Sequence, residues 1–131
     1  MNPLGLHALV WTGEVTPESA RHAIESTKRI GFDIIEIPIL EPEHFDVEMT
    51  KQLLADNDLR AACSLGLSDD TDVSSPDPEI VARGRDRLAA AVDVAAGIGA
   101  GNLCGVLYSK LGKYPEPISD ASGMIATQPI A

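Results

Sequence analysis

Three helix starts punctuate this chain, and each lies between two short apolar runs. Thr16-Pro17-Glu18 opens the first: Thr16 suits the N-cap, Pro17 the first helical position, and Glu18 the positive end of the helix dipole. Ala20, Ala23, Ile24, Thr27 and Ile30 then recur at helical spacing, and Gly31 supplies a left-handed stop. Asp46 caps a second helix reaching about Asp56. Asp77-Pro78-Glu79 opens a third, to about Gly97, on which Ala82, Ala89, Val92 and Ala96 form a small-residue packing face. The apolar runs between these helices read as strands: Leu4 to Trp11, Asp33 to Ile39, Leu59 to Leu67 and Asn102 to Leu107.

Strands alternating with helices imply an α/β fold of parallel β/α units with right-handed crossovers. Aromatic residues make up only 4% of the chain, so the core must be aliphatic, as in parallel strands buried on both faces. The 131 residues are half of the roughly 250 that a (β/α)8 barrel takes. The helix-to-strand joins are short, whereas the strand-to-helix joins are longer and polar, above all Ser68 to Pro78. In barrels and open α/β sheets that side builds the site. Past Leu107 the alternation fails. The expected organisation is a unit over residues 1–120 and an irregular tail over 121–131, read as a truncated or frame-shifted end.

The charge narrows the partners. Twenty acidic against ten basic residues give a formal −10, which repels a phosphate backbone, so nucleic acid is not an expected partner. No apolar run reaches the roughly 18–20 residues of a membrane span, and the start lacks a basic leader. Cys63 and Cys104 are widely spaced and read as reduced thiols in a cytoplasmic protein.

Glu36 is the sharpest single residue. If Ile35, Ile37 and Ile39 face the helices, alternation turns Ile34, Glu36 and Pro38 the other way, toward a barrel axis. A carboxylate there is functional, or is structural and paired with an inward Arg or His. His7 and Trp11 are expected to share the inward face of the first strand, where His7 could bond a polyol and Trp11 could pack on a sugar face. The alternative is a satisfied core histidine. Ser64 and Gly66 close the third strand, Gly66 permitting close approach of a ligand or backbone or simply a tight strand exit. Gly97-Ile98-Gly99-Ala100-Gly101 ends a helix and enters a strand, the reverse of a dinucleotide fingerprint, so it reads as a cap and turn. The run Asp69-Asp70-Thr71-Asp72 lacks the spacing of a calcium loop and reads as a solvated loop. The sequence has no phosphate-binding loop, no Cys-x-x-Cys, no Gly-x-Ser-x-Gly elbow and no histidine cluster.

Together the motifs resemble the sugar isomerase/epimerase superfamily, and within it the D-tagatose, D-psicose and L-ribulose 3-epimerases. The resemblance is carried by Gly5-Leu6-His7 with Trp11, Gly31-Phe32-Asp33-Ile34-Ile35-Glu36, Ser64-Leu65-Gly66-Leu67, Asp72-Val73-Ser74-Ser75-Pro76-Asp77 and Gly105-Val106-Leu107-Tyr108. It implies the first half of a (β/α)8 barrel whose whole form epimerises free ketoses at C3 through an enediolate. It also implies a divalent metal, manganese or else magnesium or cobalt, held by two Glu, one Asp and one His of the last four strands. None of those strands is expected here, so no catalytic or metal residue is assigned, no metal is expected on this chain, and the chain alone is expected to be inactive. By position the resemblance places His7, Ser64 and Val106 in the substrate pocket and matches Glu36 to the family's second-strand acid. Trp11 and Gly66 join them as candidate substrate-binding residues. Leu111 stands where some members carry a pocket aromatic, and His7 points toward the L-ribulose type. Two other readings stay open: a non-catalytic half-barrel that self-associates or pairs with a separate half, and a related isomerase such as hydroxypyruvate isomerase or inosose dehydratase. A homo-oligomer is expected.

Overall fold

A computed structural model describes residues 2–14 and 16–114; the expected tail, and residues 115–120 of the unit before it, lie outside them. The three helices form where their caps stand. In α1 (Pro17–Arg29), Thr16 Oγ1 accepts from the Ser19 amide at 3.2 Å while Ser19 Oγ accepts from the Thr16 amide at 2.7 Å. This reciprocal box satisfies two amides that the helix itself cannot. Asp46 Oδ1 accepts from the Met49 amide at 2.9 Å to start α2 (Val47–Asp56), and Asp77 Oδ1 accepts from the Glu79 amide at 2.9 Å to start α3 (Pro78–Gly97).

Four strands, β1 (Gly5–His7), β2 (Ile34–Pro38), β3 (Arg60–Leu67) and β4 (Leu103–Lys110), form one parallel sheet in chain order. Each neighbouring pair is joined through a helix, which is the arrangement of half a (β/α)8 barrel. The core lies between sheet and helices. Ile35, Ile37, Ile39, Cys63, Leu65 and Leu67 meet Ile24 of α1, Leu53 of α2 and Ala91 of α3 there, all buried. The alternate side chains, His7, Glu36, Ser64 and Cys104 among them, lie on the other face of the sheet, which no helix among the described residues covers.

Three expectations need correction. The first strand stops at His7 instead of running to Trp11, because a 3-10 turn, Ala8–Val10, follows at once with the His7 side chain as its cap. The fourth strand does not fail at Leu107. It continues to Lys110 across an irregularity: Gly66 pairs with Val106 and Leu67 with Lys110. Gly105 makes that bend possible, since its φ is +120° and a Cβ there would lie 2.2 Å from the Leu65 carbonyl oxygen.

The packing face of α3 is also rotated from the one expected. Ala82, Ala89, Val92 and Ala96 are exposed, and Gly84, Ala91, Val94, Ala95 and Ile98 are buried with Leu88 packed beside them. Alanines ring this helix, so small-residue spacing cannot set its phase. Gly84 sets it: a Cβ there would lie 2.3 Å from the Thr71 carbonyl oxygen, so only glycine lets the loop after β3 lie on the helix. The Gly97–Gly101 segment is a cap and turn as expected, with Gly99 at φ +74°.

Candidate functional site

The uncovered face of the sheet collects the polar residues singled out from sequence. Parallel register sets His7 beside Glu36, and Ala62 beside Glu36 on the next strand. His7 Nε2 lies 3.5 Å from Glu36 Oε1 and 3.2 Å from Ser64 Oγ. The small side chain of Ala62 leaves Ser64, one row further along β3, as the next polar atom that the ring can reach. The side chains of His7 and Glu36 are each 35% exposed, enough for a ligand to approach both. Glu36 is thus neither buried nor alone.

The other ring nitrogen limits what this group can do. His7 Nδ1 accepts the Leu9 amide at 3.1 Å as the cap of the 3-10 turn. A nucleophile relay needs hydroxyl and carboxylate on different imidazole nitrogens. Here both face Nε2, so Ser64 gains no base and the cluster suits hydrogen bonding of a polar ligand.

Trp11 stands apart from this row, against the expectation that it shares a strand face with His7. The 3-10 turn rotates it toward α1, where its indole Nε1 donates to Thr27 Oγ1 at 2.9 Å and its ring meets the edge of His22. Gly66 and Val106 pair across β3 and β4 on the open face. A Cβ on Gly66 would rest 3.7 Å from Leu111, an ordinary contact, so no close backbone approach demands glycine there.

Beyond the carboxyl ends of β1 and β2 lies a cleft of about 360 Å³ lined by Glu14, Thr16, Pro38, Leu40, Glu41 and His44, among others. Pro38 joins it to the row of Glu36, two residues along the same strand face. Arg87 of α3 holds one wall: its guanidinium donates to the Leu40 carbonyl at 2.5 Å and lies 3.8 Å from Glu43.

A second polar cluster was not legible in the sequence. The acidic run is only half solvated: Asp69 and Asp70 are exposed, while Thr71 and Asp72 are buried. Asp72 Oδ1 accepts from the Ser74 amide, the Ser74 hydroxyl and the Lys110 amide, and Oδ2 accepts from Lys113 Nζ at 2.8 Å. The Lys113 ammonium, then the Ser74 hydroxyl, hold this carboxyl well below the usual carboxylate range. Lys110 Nζ pairs with Asp69 beside it. The cluster ties the loop after β3 to the end of β4. Its partners lie 41 residues apart, and no local spacing signals that.

No protein-family model matches the chain. A ketose 3-epimerase of Arthrobacter globiformis is 48% identical over 118 residues, which are 90% of this chain and 41% of that protein. An L-ribulose 3-epimerase of Methylomonas sp. (strain DH-1) is 52% identical over 115 residues, 88% of this chain and 40% of that one. The crystal structure of a D-allulose 3-epimerase from Methylomonas sp. in complex with D-allulose superposes with a TM-score of 0.83 at 51% identity, over 89% of this chain and 41% of that one. This chain is homologous to part of a ketose 3-epimerase. It spans about two fifths of the length of the relatives it matches. In a half-barrel of this arrangement the sheet face opposite the helices is the inner one, and the His7–Glu36–Ser64 row lies on it. Among the described residues no group of three or more His, Cys, Asp and Glu side chains converges as metal ligands. The described residues by themselves supply no site for the divalent metal that the resemblance implies.

Proposed function

We propose that this chain forms one wall of the sugar site of a ketose 3-epimerase, an enzyme that inverts C3 of a free ketose. The observation that carries the reading is the pairing of 48–52% identity to ketose and L-ribulose 3-epimerases with a hydrogen-bonded polar row on the inner face of the half-barrel. A ketose carries hydroxyls that both donate and accept. Glu36 supplies acceptors and Ser64 supplies either role. The acidic balance and the acidic cleft lining, Glu14 and Glu41, suit an uncharged sugar better than a phosphorylated one.

The groups that move the C3 proton are assigned outside the described residues. The uncovered face and the two edge strands β1 and β4 need a covering half, and a second copy or the remainder of a barrel would supply it. Homo-oligomerisation remains part of this reading. So does a reducing, cytoplasmic setting, supported by the two free thiols Cys63 and Cys104. Among the described residues no helix is long and apolar enough to cross a membrane.

The test is binding of D-allulose to the purified chain, measured by titration calorimetry, with L-ribulose in parallel. An affinity that drops at least tenfold in E36Q, with the fold retained by circular dichroism, is expected. An affinity indifferent to E36Q would remove the inner row from the sugar site. A chain that binds neither ketose would overturn the reading itself.

A further inference from the structure

The polar row does not share its protons freely. The Leu9 backbone amide points at His7 Nδ1 from 3.1 Å, and an amide can only donate. In neutral imidazole one nitrogen carries the hydrogen and the other the lone pair. Nδ1 must hold the lone pair here, so the hydrogen sits on Nε2, the nitrogen facing Ser64 Oγ at 3.2 Å and Glu36 Oε1 at 3.5 Å. The lock is local. It comes from the 3-10 turn that stops β1 after three residues, and not from the carboxylate.

We infer that the turn after β1 fixes His7 as the Nε2–H tautomer, making His7 a positioning residue that orients Glu36 and Ser64 toward one hydroxyl of a polyol. The proton balance follows. Nε2–H faces Glu36 Oε1 at 3.5 Å, a contact too long for a full hydrogen bond, and leaves Oε2 to accept. Nε2–H shared with Ser64 Oγ leaves the serine its own proton to donate. One acceptor beside one donor is the complement of a sugar hydroxyl, which needs both. His7 itself offers a ligand no lone pair, so it serves neither as a base nor as a metal ligand in this arrangement. That the ligand is a ketose rests on the function proposed above; the tautomer does not.

The test begins with long-range proton–nitrogen correlation spectra of the purified chain labelled at histidine. His7 is expected with a protonated Nε2 and an unprotonated Nδ1, and the reverse assignment overturns the inference. The same spectrum of E36Q is expected to keep the tautomer; a switch would show that Glu36 sets it instead of the Leu9 amide. Two variants then separate the halves of the ring. Asparagine in H7N still accepts the Leu9 amide but falls short of the Nε2 position, whereas glutamine in H7Q can place a donor there. In binding of D-allulose to the same chain, H7N is expected to lose about tenfold in affinity and H7Q to stay within about threefold, since one hydrogen bond is at stake. Equal losses would overturn the positioning role. Absence of binding by the unsubstituted protein would sink the proposed function and leave the spectra to judge the tautomer alone.

Discussion

The two faces of the sheet are built on opposite plans. On the helix side of β2, Ile35, Ile37 and Ile39 are at most 2% exposed and packed among aliphatic neighbours. On the inner side the same strand carries Glu36, 35% exposed and paired with His7. Burying each isoleucine side chain contributes about 1.5–3 kcal/mol, while a half-exposed polar contact contributes about 0–1 kcal/mol. Stability thus resides on one face and polar groups on the other, and alternation along a single strand keeps them apart. A face that contributes little to stability can carry charge and hydroxyls at little cost to the fold.

The strongest way to break this contrast is to truncate one residue on each side of β2. Ile37→Ala is expected to cost about 2–5 kcal/mol in urea unfolding, from lost burial and the cavity left behind. Glu36→Gln, one residue away, is expected to cost less than about 1 kcal/mol. Comparable losses would mean that the inner face is covered and stabilising in the protein measured, so that the division drawn here fails.

A smaller effect is expected where the polar chemistry does stabilise structure, at Asp72. Its carboxyl is held below the usual range by Lys113 first and Ser74 second. A group whose folded value is depressed adds stability above its unfolded value, about 4, and loses it as pH falls toward the folded value. Asp72→Asn should therefore be less stable than the parent at pH 7, with faster amide exchange in the loop between β3 and α3. The gap should close as pH falls below about 4. A gap that persists in acid would assign the effect to lost packing instead of charge.

How much of this was legible follows from the range of each interaction. The helix starts were read from Thr16, Asp46 and Asp77, because a cap acts on amides two or three residues away. The alternation along β2 was read for the same reason: its period is local. The end of β1 was not, because Leu4 to Trp11 is apolar almost throughout, and nothing in that run marks His7 as the cap of a turn. That single miss also misplaced Trp11, whose hydrogen bond goes to Thr27 on a different element. The face of α3 was hidden by its many alanines, and its phase is set by a carbonyl of a preceding loop. At the site, the residue types of His7, Glu36 and Ser64 pointed to polar recognition, but their convergence depends on a register between three strands. The burial of Asp72 was out of reach, since its lysine lies in a segment where the β/α pattern had run out.

The mildest probe of the two faces uses the two thiols, which neighbouring strands turn in opposite directions. Cys104 lies beside Ser64 in the register, on the inner face, and is exposed; Cys63 is fully buried on the helix side. Burial, with Cys104 and Glu36 adding to it, pushes the Cys63 thiol up to about 11. Only a thiolate is alkylated, so Cys63 is protected both by access and by protonation. Iodoacetamide at about pH 8 is expected to modify Cys104 and leave Cys63 intact, read by peptide mass, with both labelled once urea unfolds the chain. Equal labelling in the folded state would place both thiols on accessible faces and undo the contrast between them. Protection of Cys104 as well would be the more informative result, because it would show that a second half or a second copy lies over the inner face in solution.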